Sequence, residues 1–106
     1  TPLEIVELTS EPADHVLDNV AAVLRNFNEV ESAVYALARR GSAAPKPVFS
    51  LRIHAAYRSR TVEILDCVRQ AATAMGLDAE VLLLDKTHVQ SLRTNSIVFF
   101  PWRRRA

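Results

Sequence analysis

From Val48 to Ala55 apolar and polar positions alternate, with Phe49, Leu51, Ile53 and Ala55 on one side of a period-two repeat and Ser50, Arg52 and His54 on the other. Such alternation predicts a strand with one dry face and one wet face, in a sheet covered on one side only. Two helical segments flank it and supply the cover. The first opens at Ser10-Glu11-Pro12 and repeats Val16, Val20, Val23, Leu24 and Phe27 at three- and four-residue spacing. Ser10 is placed to cap its free amides, and Pro12 suits a first turn, where the missing N–H has no partner to lose. The second starts near Ser59, carries Ile64, Leu65, Val68, Ala71, Ala72 and Met75 on one side, and stops at Gly76.

Three further runs are extended in pattern. Leu3, Ile5 and Leu8 stand among acids as a short strand. Val81 to Leu84 is an uninterrupted apolar run between Glu80 and Asp85, the pattern of a strand buried on both faces or central in a sheet. Asp85 or Thr87 can cap a short helical turn through Val89 and Leu92 before Ile97-Val98-Phe99-Phe100, which Pro101 marks as an edge strand or an extended closing segment. Residues 30 to 40 fit two patterns. Val30, Val34, Leu37 and Ala38 make a helical stripe ending at Gly41, and Ala33, Tyr35 and Leu37 make an alternating strand. The link from Gly41 to Pro47, with Ser42, Pro45 and Pro47, suits the turn of a hairpin into the strand that follows.

A chain of 106 residues is expected to be one domain with one core. With 49% apolar and 24% charged residues and only two glycines it has the composition of a globular protein with short loops. The net charge of +1 is unevenly placed: Arg103, Arg104 and Arg105 supply three of thirteen basic residues, leaving ten against twelve acidic ones. Residues 103–106 thus read as a basic tail on a mildly acidic body. The lone Cys67 has no internal disulfide partner, which favours the cytoplasm. No apolar run is long enough for a helical membrane span. A start at Thr1 rather than methionine predicts a fragment of a longer protein.

Candidate chemistry is sparse. His15, His54, His88 and Cys67 are metal-ligand types, but none has a partner at two- to four-residue spacing, so no metal or other cofactor is expected. Ser59, Ser91 and Ser96 lack the small neighbours of a nucleophile turn and read as capping and turn serines. Gly41 and Gly76 belong to no phosphate-cradling loop. Arg39-Arg40 and Arg58-Ser59-Arg60, brought together by the hairpin, could hold an anion; the plainer reading is a solvated rim. Trp102 beside three arginines invites phosphate binding, but the acidic body offers no continuing basic track and nucleic acid is not the expected partner.

Val30 followed by Ala33 to Ala38, then Pro47 to Ile53, then Leu82-Leu83-Leu84-Asp85 and the closing Phe99-Phe100-Pro101-Trp102 resemble the C-terminal domain of the enhanced serine sensitivity protein (SseB) family. The resemblance covers about the last two-thirds of the chain; in that family the closing motif is closer to Pro-Phe-Tyr, whereas here proline follows the phenylalanines. It implies that residues 30 to 40 form a strand, and it carries no catalytic residues over. The expected fold is α+β, a ferredoxin-like βαββαβ sandwich whose four-stranded antiparallel sheet bears two helices on one face. The expected function is a non-catalytic interaction or regulatory domain of a cytoplasmic bacterial protein. A small-ligand, amino-acid-sensing domain is the alternative, ahead of a nucleic-acid-binding module. On this fold the face carrying Ser50, Arg52 and His54 stays open and is the expected binding site for a protein partner or a second copy.

Overall fold

The computed structural model describes residues 3–9, 11–54, 59–83, 96–101 and 104–105. Chain order is β1 (Leu3–Val6), α1 (Asp14–Leu24), β2 (Val30–Arg40), β3 (Lys46–Ile53), α2 (Thr61–Ala74), β4 (Glu80–Leu83), β5 (Ser96–Phe100) and β6 (Arg104–Arg105). The short turn expected around Asp85 to Leu92 lies outside the described residues.

The stripes on both helices bury as their spacing requires. Val16, Leu17, Val20, Ala21 and Leu24 of α1 and Ile64, Val68 and Ala72 of α2 are buried. Nearly all of them share one cluster with Ala33, Tyr35 and Leu37 of β2 and with Phe49, Leu51 and Ile53 of β3, so both helices lie on one face of the sheet. The helix starts differ from expectation. α1 begins at Asp14 with Ala13 at the N-cap, leaving Pro12 before the helix, and α2 has Arg60 rather than Ser59 at its N-cap; neither start has a side-chain cap bond. Asp14 and Glu63 place negative charge in the first turns, which the helix dipole favours. Cys67, on α2, is half-buried.

The end of α2 follows directly from Gly76. At φ +80° the glycine turns the backbone left-handed, so that its amide donates to the Thr73 carbonyl (2.9 Å) and the Leu77 amide to that of Ala72 (3.0 Å). That pair of bonds is a Schellman closure, which satisfies carbonyls the helix would otherwise leave bare.

Residues 30 to 40 are a strand, eleven residues long. β2 looked helical because both of its faces are apolar. Ala33, Tyr35 and Leu37 meet the helices, while Ala36 and Ala38, on the other face, are buried as well. One edge of β2 pairs antiparallel with β3; the other is shared, β1 taking Leu37 to Arg40 and β5 taking Ala33 to Ala36.

The sheet is mixed, with order β4-β3-β2-β5-β6 and β1 on β2. This corrects the expected purely antiparallel, ferredoxin-like order. In that order β1 would lie between β3 and β4; here β1 is only four residues long and sits on β2, so the chain returning through α2 lays β4 directly beside β3 in parallel. Two more expectations change. Among the described residues β4 stands at one end of the strand order, with half-buried Val81 and Leu82, and not in the centre. The segment ahead of Pro101 is flanked on both sides, by β2 and by β6, so Arg104 and Arg105 of the supposed tail belong to the sheet. β5 carries a bulge at Phe99, which lets both Phe99 and Phe100 join the core.

Candidate functional site

The expected open face is not a polar platform. Ser50 is buried, with 7% exposure, amid Ala36, Ala38, Val48 and Ser96, which are buried too. Period-two alternation showed a serine and implied water; the neighbours on that side are mostly small and apolar, and β3 is buried on both faces from Val48 to Leu51. Arg52 is exposed and paired with Glu31 on β2, at 3.2 Å. His54, exposed, follows the end of β3, where its amide donates to the Glu29 carbonyl at 2.8 Å. Of the three predicted residues, Arg52 and His54 are exposed and Ser50 is not.

Nor do the described arginines of the predicted anion cluster meet; Arg58 lies outside the described residues. Arg39 and Arg40 end β2, whereas Arg60 reaches Glu29 just before β2 begins, about 33 Å away along an extended chain. Arg39 pairs with Glu4 at 3.5 Å and Arg40 with Glu80 at 3.2 Å. Arg60 is tied three ways: its Nε lies 3.1 Å from Glu63, its Nη1 3.2 Å from Glu29 Oε2, and its guanidinium carbon 5.1 Å from the Phe27 ring centroid. The hydrogen bond that Arg60 donates to Glu63, helped by the charge of Glu29, raises the guanidinium pKa further. Glu29 Oε2 is buried and faces Arg60 as an ion pair without the alignment of a hydrogen bond. This knot ties the start of α2 to the start of β2, and its one guanidinium is shared between two carboxylates.

The flank formed by α2 and β4 has a different character. A groove of about 490 Å³ runs between them, lined by Val62, Leu65, Asp66 and Arg69 of the helix and by Asp78 to Leu82. Its charges are matched at home: Arg69 with Asp66 at 2.6 Å, Arg40 with Glu80 at 3.2 Å, and Asp78 with Lys46 at 3.3 Å. Val62 is 74% exposed and Leu83 37% exposed, the large apolar side chains that stand out into solvent among the described residues. β4 pairs with β3 on one side, and among the described residues nothing pairs with its other edge. An edge of bare amides and carbonyls beside an apolar groove can take up an extended chain.

Sequence reading missed this flank because an apolar run does not show which edge of a strand has a neighbour. Val62, just inside the start of α2 and off its apolar stripe, was the one visible signal. Among the described residues no helix is long and apolar enough to cross a membrane, and no cluster of three or more histidine, cysteine or acidic residues is suited to a metal. Compared with family models, characterised proteins and solved structures, the chain shows no match.

Proposed function

We propose that this chain is a non-catalytic interaction or regulatory domain of a cytoplasmic bacterial protein, of the kind its likeness to the serine sensitivity family suggests, and that it docks protein at the flank formed by α2 and β4. The observation that carries the reading is the edge of β4 that pairs with nothing among the described residues, beside the groove, with Val62 and Leu83 exposed at it. Edge strands of folded proteins are commonly protected by charge, by proline or by cover; here Glu80 is the one charged residue of the strand, and the apolar Val81, Leu82 and Leu83 follow it. The three ion pairs around the groove already partner the charged groups that would hold an amino acid's ammonium and carboxylate, which sets protein docking ahead of amino-acid sensing.

The experiment has two arms. A thermal-shift screen against amino acids and nucleotides is expected to leave Tm unchanged, because a ligand bound only by the folded state must raise it; a rise with any amino acid replaces this reading with the sensing one. A photo-crosslinking residue placed at Val62 is expected to give a defined protein adduct. The same residue at Ala22, exposed on α1, serves as control and is expected to give none.

A further inference from the structure

We propose that the partner at this flank is a second copy of the chain, joined by antiparallel pairing of β4 with β4 about a two-fold axis. The inference rests on the reading of the α2–β4 flank as a docking surface and names its occupant.

Two features of the flank favour a copy of itself. The first is charge. Asp66 and Arg69 stand side by side on the outer side of α2, each about half exposed. A partner peptide of either sign gains nothing from so balanced a surface. A two-fold axis, which runs the two helices in opposite directions, brings Asp66 of each copy toward Arg69 of the other. An isologous contact requires that kind of self-complementarity.

The second feature is register. Residues directly opposite in an antiparallel pair point to the same face, so β4 can meet itself only with residues of matching parity opposed. Centring the axis on Leu82 sets Leu82 against its own copy and Val81 against Leu83 of the second copy. Centring it on Val81 instead opposes Glu80 to Leu82. The apolar content of Val81-Leu82-Leu83 selects the first register. The sheets of the two copies then run on as one, and the second strand covers Leu83. A strand of four residues and one helix flank make a contact below the usual size for a permanent dimer, so association is weak, with Kd on the order of 10–100 µM.

The test is sedimentation velocity of the purified chain from about 5 µM to about 1 mM, a range that brackets that Kd, with hydrogen exchange followed at both ends. The expected result is a concentration-dependent dimer with β4 amides more protected at high concentration. Leu83→Lys, a change at an exposed position, is expected to raise Kd at least about tenfold, roughly the effect of losing one central contact. If Leu83→Lys lowers Tm, Val62→Lys serves in its place. Asp66→Arg is expected to weaken the dimer several-fold, and Asp66→Arg with Arg69→Asp to restore it, because the swap returns both the internal pair and the cross-axis one. A monomer throughout overturns the proposal, as does a dimer that ignores Leu83→Lys and leaves β4 unprotected. A monomer that still gives a Val62 adduct with another protein overturns self-pairing and leaves the docking surface standing.

Discussion

Tyr35 and Phe49, opposite each other on β2 and β3, meet edge to face with ring centroids 5.6 Å apart and planes at 62°. Phe49 repeats the arrangement with Phe99 of β5, at 5.5 Å and 69°. Three strands are thus joined through one ring with no exposed surface, beneath both helices. Phe49→Ala is expected to cost about 3–5 kcal/mol, the range for deleting a fully buried aromatic ring, and Phe49→Leu under half of that, since most of the volume remains. Urea denaturation of the two variants checks the ordering; equal midpoints would show that the ring is not the keystone of this core.

Burial has a second consequence at Tyr35, where desolvation raises the phenol pKa above its usual value of about 10. Between that value and the higher folded one the native state holds its proton while the unfolded chain has lost it. Stability is therefore whole below pH about 10 and falls as pH rises beyond it. Tyr35→Phe is expected to flatten this alkaline decline in stability, measured by urea denaturation at a series of pH values. An unchanged slope in the variant would assign the decline to other groups.

Gly76 gives a cleaner local test. Its φ of +80° is in the left-handed region, yet a Cβ built there meets nothing within 4 Å. Gly76→Ala is therefore expected to destabilise by about 1–2 kcal/mol through backbone conformation alone, with Gly76→Asn milder, because asparagine tolerates that region. Equal losses for the two variants, read from thermal melts, would point to some cause other than φ.

What could be read from the chain beforehand follows the same physical line. α2 was legible except for its first residue, because its stripe, from Ile64 to Met75, and its stop at Gly76 are local signals. β2 was not, since a strand with apolar residues on both faces spells a helical stripe as readily as an alternating one, and only the ladders to β3, β1 and β5 decide. The parallel entry of β4 beside β3 depends on how the chain returns through α2, which no residue within β4 encodes. The α2–β4 flank was hidden for the same reason. Ser50 shows the opposite error, a polar residue taken for a wet face although its neighbours Ala36, Val48 and Ser96 had already made that face dry.

Arg104 and Arg105 change what a truncation should do. As β6 they lie against Ile97 and Val98 and take up one edge of β5. A chain ending at Pro101 is expected to associate more readily, because a bare sheet edge is a template for further strands, and arginine-bearing strands protect such edges. Light scattering against concentration compares the shortened and full chains. Identical behaviour would mean that the two-residue strand shields nothing, returning residues 103–106 to the status of a tail.

The last prediction concerns the knot around Arg60. Glu29 has a side chain only 11% exposed, and Arg60 is the cation facing it. A buried carboxylate whose cation is removed keeps its desolvation penalty and loses the compensating attraction, so Arg60→Ala is expected to destabilise more than Glu63→Ala, although Glu63 makes the closer contact with the guanidinium. The lost stacking over Phe27 adds to the effect. Replacing the carboxylate by a neutral amide of the same shape removes the stranded charge. Arg60→Ala combined with Glu29→Gln is therefore expected to be more stable than Arg60→Ala alone, even though it carries one more substitution. Chemical denaturation of the four proteins of this cycle supplies the coupling. A double variant less stable than the single one would show that Glu29 is held by the protein without need of Arg60, and that the arginine serves the helix start through Glu63 instead.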